Sequence, residues 1–314
     1  MDFFTHLVFG ALMYTLFLKD ITFNYILYAM FFAILPDLDI FISPLRRKLK
    51  SNYLEHRSAS HSYIIGVMLA TIIGFFYSIL TQQSFLIIWI IGVIFYGIHV
   101  SLDLLNTTKI PCFYPISRRE YCFSIEKAGS SFTFLTSWIF IISFLIVYHF
   151  FPSNNLLLLV INTYTYFLFA YYIFRILTRI WVSSHLTENQ KYFPGVLPFF
   201  FFIFEKKIEK DTLSLRIEKR SHIWKTKIIY KNSEKLTSEE MMFLKKALEK
   251  CMENYYYAKW TVLPKIYRFN GEFTLRLFFL EPMVRSKAHY IQFDFNKELK
   301  EVVGYKHSFG KINN

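Results

Sequence analysis

HVSLDLLNT, His99 to Thr107, sets an imidazole and a carboxylate four residues apart at the end of an almost unbroken apolar run, SFLIIWIIGVIFYG. Residues i and i+4 of a helix share one face with Cβ atoms about 6 Å apart, so His99 and Asp103 can chelate one ion. Neutral imidazole and carboxylate suit zinc or another divalent metal; the competing reading is a His–Asp hydrogen bond that ties helices together. Two more polar clusters have the same character. Pro36-Asp37-Leu38-Asp39 closes an apolar segment at a proline and offers two carboxylates from a bent backbone. Glu55 to Ser62, EHRSASHS, sets His56 and His61 around Arg57. His6 stands alone in the first apolar stretch.

The elements that carry these residues belong in a bilayer. Of 314 residues, 54% are hydrophobic, 20% aromatic and only 19% charged, a composition that points to a membrane protein. Crossing hydrocarbon takes about 20 apolar residues in a helix. Six segments qualify, roughly 3–18, 21–42, 62–80, 85–106, 132–151 and 155–182, with Pro36 expected to interrupt the second. The first two are short and separated only by Leu18-Lys19-Asp20, which also allows a tight or re-entrant hairpin. MDFFTHLVFG lacks a basic n-region and a small-residue cleavage pattern, so it reads as a retained span with no cleaved signal peptide.

Lys and Arg in short loops stay cytoplasmic. Arg46, Arg47, Lys48, Lys50 and Arg57 follow the second segment, and Lys109, Arg118, Arg119 and Lys127 follow the fourth, whereas TQQSF and FPSNN on the other side have no basic residue. Six spans in the inner or cell membrane with both termini cytoplasmic satisfy every loop. On that topology His6, Asp37, Asp39, His56, His61, His99 and Asp103 gather at the inner face. Ionisable groups at such depth are costly and normally face a bundle interior, so the four-helix core of residues 1–190 is expected to hold a metal site.

Residues 191–204 hold two prolines and a glycine followed by FFFFIF, too short to cross, and read as an interfacial linker or a sheet-forming segment. Residues 205–314 hold 23 Lys/Arg and 14 Asp/Glu, a net +9, on the cytoplasmic side where anionic lipid attracts them. TLSLRIEKR, HIWKTKIIY, FTLRLFFL and HYIQFDFN alternate as strands, and Ser238 to Tyr255 reads as a helix with Met242, Leu244, Leu248 and Met252 inward. The fold class is thus a polytopic helical membrane domain of about six spans followed by a small α+β domain. Cys112, Cys122 and Cys251 form no CxxC pair, which argues against a disulfide framework or thiolate zinc site. No phosphate-binding glycine loop, Ser-His-Asp triad motif or nucleic-acid module is present, and no nucleic-acid partner is expected; membrane lipids and an amphiphilic small molecule are, and oligomeric state is not legible.

His6, PDLD, HRSASHS and HVSLDLLNT followed by Pro115-Ile116-Ser117-Arg118-Arg119-Glu120-Tyr121 together resemble the predicted membrane-bound metal-dependent hydrolases, the LexA-regulated inner-membrane group of the DUF457 type, over about residues 1–200. That family's pattern has threonine where Ser60 stands and a glycine where this chain has Lys109-Ile110-Pro111. More distantly, the order resembles part of the zinc-dependent phospholipase C and S1/P1 nuclease pattern. That likeness implies a metal on an aspartate of PDLD, His61, His99 and Asp103, with His6 and Asp103 helping a second. The expected chemistry is hydrolysis of an amphiphilic ester or phosphoester by a metal-activated water, the metal zinc or alternatively manganese, with Arg57 and His56 as catalytic residues and Arg118 or Arg119 assisting Arg57 on a phosphate. Divalent-cation or proton-coupled transport and a noncatalytic membrane scaffold are the rivals.

Overall fold

The computed structural model describes residues 3–17, 23–42, 56–151, 154–222, 225–253, 259–269, 272–283, 287–296 and 301–312. They fall into two units, Met1–Thr178 and Arg179–Asn314. The first is helical: α1 Phe3–Phe17, α2 Phe23–Ile34, α3 Tyr63–Thr81, α4 Phe85–Leu104, α5 Ser131–Phe150 and α6 Asn154–Ser183, the last continuing across the boundary into the second unit. Pro36 has no N–H to continue the α-helical ladder, so α2 stops at Ile34 and the chain tightens into a 3-10 segment, Leu35–Ile42. A second 3-10 turn, Ala59–His61, leads into α3, where the Ser62 hydroxyl caps the helix by accepting from Ile64 N at 3.2 Å.

Among the described residues, five stretches have the length and hydropathy to span a membrane. The sixth, α1, is 15 residues long, short of a full crossing, in keeping with the brevity of segment 3–18 in the sequence. Large apolar side chains face outward on α3, among them Phe76 and Leu80 at 61% and 83% exposed, with Leu135 and Ile139 on α5 and Leu177 and Ile180 on α6 also outward. In water such a surface would aggregate; in a bilayer it is the face that meets lipid. Polar groups sit inside instead, and α3 and α4 approach closely at Gly66, where a Cβ would overlap the Tyr96 ring. Arg46, Arg47, Lys48 and Lys50, with Leu18-Lys19-Asp20, lie outside the described residues.

The second unit contains two antiparallel four-stranded meanders with a helix between them. The first runs β1 Gln190–Pro194, β2 Phe200–Glu209, β3 Thr212–Ser221 and β4 Lys227–Lys235; then come α7 Ser238–Met252 and β5 Val262–Phe269, β6 Glu272–Phe279, β7 Lys287–Asn296 and β8 Glu301–Lys311. α7 starts with a capping box: Thr237 Oγ1 accepts from Glu240 N and Glu240 Oε2 from Thr237 N. Phe243 of α7 then stacks on Phe295, 4.6 Å between centroids, in a core shared by both sheets.

One alternative is decided and three particulars differ from expectation. Residues 191–204 carry most of β1 and the first half of β2, so the sheet-forming reading describes FFFFIF. The strand assigned to HIWKTKIIY begins at Lys227. β5 and β8 had no forecast, and Met252, placed toward the core, is 59% exposed while Phe243 and Cys251 fill it.

Candidate metal centre

Three elements converge on one buried point. α4 presents His99 and Asp103 from one face, as their spacing requires. The 3-10 winding after α2, at three residues per turn, turns Asp37 and Asp39 about 120° apart: Asp37 toward His99 and Asp39 toward the HRSASH turn. That turn is held by Tyr96 of α4, whose hydroxyl donates to Ser60 O, and by His61 N donating to Ser58 O at 3.0 Å. It delivers His61 between the two carboxylates.

One ligand atom from each of Asp37, His61, His99 and Asp103 lies within 4.8 Å of the other three, and all four residues are buried. His61 Nε2 is 3.2 Å from Asp103 Oδ2, 3.3 Å from His99 Nε2 and 3.4 Å from Asp37 Oδ1, and His99 Nε2 is 3.7 Å from Asp37 Oδ1. Four ligands about 2.0–2.1 Å from a tetrahedral ion stand about 3.4 Å apart, so these spacings fit one.

The surrounding hydrogen bonds fix which ring nitrogens carry protons. His99 Nδ1 lies 2.7 Å from Ala33 O, a carbonyl that can only accept, so the proton is on Nδ1 and Nε2 presents a lone pair. Ser60 Oγ donates to Asp39 Oδ2 at 2.5 Å, which leaves its oxygen to accept from His61 Nδ1 at 3.0 Å. With Nδ1 as the donor, the neutral imidazole of His61 turns the lone pair of Nε2 toward the cluster. In these neutral tautomers two imidazole lone pairs and two carboxylates face one another, the donor set of a cation site, and each imidazole is oriented by a partner on its far nitrogen. Two nitrogens and two carboxylate oxygens suit zinc or manganese.

Asp39, a sequence candidate for ligation, lies behind the His61 ring, 3.7 Å from Nδ1, outside the group of four. It accepts instead from Ser60, from Arg57 N at 3.3 Å and from His56 Nδ1 at 2.6 Å. His6, the other candidate outside that group, stacks on His99 at 3.8 Å between centroids and places Nε2 3.3 Å from Asp103 Oδ1. Arg57 adopts φ +62°, an uncommon left-handed conformation for a side-chain-bearing residue, and brings Nε to 3.3 Å from Asp103 Oδ2. Arg118 and Arg119 are exposed, with Arg119 over the Tyr121 ring at 5.4 Å.

Sequence reading had missed Ser60 as the link between Asp39 and His61, and Asn106, whose Nδ2 donates to Asp103 Oδ1 at 2.7 Å. Asn106 lay in the signal, three residues beyond Asp103 in the same motif. A second buried polar group also went unread. Arg175 on α6 donates from Nε to Tyr171 OH at 3.1 Å and lies 3.3 Å from Glu126 Oε2, and Tyr171 OH donates to the same carboxylate.

The model of a family described as YdjM inner membrane protein matches residues 1–178. No curated protein and no solved structure matches significantly.

Proposed function

The chain belongs to the YdjM inner membrane protein family, and within the membrane we propose that it acts as a metal-dependent hydrolase of an amphiphilic phosphoester. The observation that carries the reading is the set of four buried donor atoms of Asp37, His61, His99 and Asp103, turned inward by partners outside the set. A divalent ion held there, zinc or manganese, would lower the pKa of a water toward about 7 and polarise a phosphoryl oxygen.

The chain's own residues complete the chemistry. Arg57, beside Asp103 and 11% exposed in its side chain, binds a phosphate oxygen through its guanidinium. His56 donates Nδ1–H to Asp39, and its imidazole is 27% exposed, so Nε2 is left to accept a proton at the rim. As water oxygen bonds to phosphorus and the P–O bond to the alcohol breaks, His56 takes the water's proton and returns it to the departing alkoxide. His61 keeps its orientation through Ser60 and Asp39. The cytoplasmic side is proposed for the site because Arg57, Lys109, Arg118 and Arg119 lie in loops at its end, whereas residues 82–84 and 151–155 contain no Lys or Arg.

Elemental analysis of detergent-purified protein tests the centre. Wild type should carry near-stoichiometric zinc or manganese that His61→Ala and Asp103→Ala both lose while still inserting in membranes. Metal-free wild type, or variants with unchanged content, would overturn the reading.

A further inference from the structure

A groove of about 240 Å3 is lined by side chains of α1, α6 and the C-terminal end of α4. It adjoins the centre through sequence neighbours of its residues: Leu102 and Leu105 flank Asp103, and Phe9 and Leu12 follow His6 by one and two turns of α1. On α6 it extends from Thr165 to Ile176, about 16 Å of helix at 1.5 Å per residue. Apart from Thr165 and Tyr172, no lining side chain carries a nitrogen or oxygen. Leu12, Leu102 and Leu168 are buried and make a fixed floor; Phe169 and Ile173 are more than half exposed and make a lip on the lipid-facing surface. Around Asp103, to which both residues are hydrogen-bonded, two buried atoms, His6 Nδ1 and Asn106 Oδ1, have no hydrogen-bond partner among the described residues.

We propose that this groove seats one hydrocarbon chain of a lipid phosphoester whose head reaches the Asp37–His61–His99–Asp103 cluster. The assignment rests on the hydrolase reading and names its substrate class: a long-chain alkyl or isoprenyl phosphoester, entering from the bilayer. The volume lies below that of ordinary drug-sized pockets, so it takes a single chain. The tail gains little by leaving lipid, since lipid is as apolar as leucine. Its contribution is orientation: a packed tail holds the ester at the donor cluster.

The test has two arms. In the first, zinc-loaded full-length protein in nanodiscs hydrolyses p-nitrophenyl hexadecyl phosphate and p-nitrophenyl methyl phosphate. Water oxygen joins phosphorus and p-nitrophenolate leaves, so both are read at the same wavelength. The expected kcat/KM ratio favours the long chain by at least about tenfold, the low end of hydrophobic-pocket discrimination, and Leu168→Trp, which fills the groove, collapses that ratio. Zinc content of the variant reports whether its centre is intact, and Leu168→Phe is the milder alternative if it is not. In the second arm, a hexadecyl phosphate with a diazirine at the tail end is photolysed with the protein. Label should fall on residues 165–176, be displaced by hexadecyl phosphate and not by inorganic phosphate, and fade in the same variants. Chain-independent turnover, or label elsewhere, overturns the groove; label in the groove without turnover of either ester overturns the hydrolase reading and leaves the groove standing.

Discussion

A hydroxyl can donate in one direction while accepting in another, and Ser60 uses both, donating to Asp39 Oδ2 and accepting from His61 Nδ1. Without it, His61 has no partner to keep its proton away from the centre. Ser60→Ala is therefore expected to weaken metal binding by about 10–100-fold, the usual cost of losing an outer partner, while Ser60→Thr keeps the hydroxyl and most of the affinity. Competition against a chromophoric chelator measures this; equal affinity in Ser60→Ala would show that the hydroxyl does not orient the ring. The sequence exposed the histidines and carboxylates because such groups are costly in apolar segments. It did not separate Asp37 from Asp39, since their divergence comes from the tight winding after Pro36, nor could it show Ala33 O, a backbone acceptor available at any position.

α6 is fixed to the core by a charge that apolar periodicity hides. Arg175 lies in a helix otherwise suited to lipid, fully buried against Glu126 and Tyr171. Removing one partner of a buried pair leaves the other uncompensated, at about 3–5 kcal/mol, whereas removing both often costs little. Arg175→Leu should thus lower the midpoint of unfolding in detergent strongly, and Arg175→Leu with Glu126→Gln should recover most of the loss. A single variant as stable as wild type would contradict this. The spans themselves were legible because length and hydropathy determine them; Pro36 marked the break in α2 correctly. Legibility failed where a strand breaks its own pattern. Pro264 interrupts the reading of β5, and it is tolerated because β5 lies at the edge of its sheet, where a missing N–H leaves no ladder partner wanting. Gly304 and Gly310 similarly dilute the alternation of β8.

In the second unit the buried carboxyl of Glu281 ties stability to pH. Burial pushes its carboxyl up to about 7 from the ordinary 4.5, although Thr261 N donates to it at 2.8 Å. The folded protein thus holds this proton more tightly than the unfolded chain does. The associated stability is present in full below about pH 4.5 and is lost as pH rises to about 7, a change of roughly 3 kcal/mol. Glu281→Gln should flatten that decline in the thermal midpoint followed by fluorescence, for which Trp260, 5.3 Å from Phe279 between ring centroids, is a nearby reporter. Parallel slopes in variant and wild type would remove Glu281 as the cause. The paired meanders have another consequence. Each sheet stays open, and β4 ends the first with backbone groups that could recruit a strand from a neighbouring copy. Exposed Lys227, Lys231 and Lys235 recur along that border, so crowded copies on one membrane meet cationic fringes that keep them from stitching into fibrils.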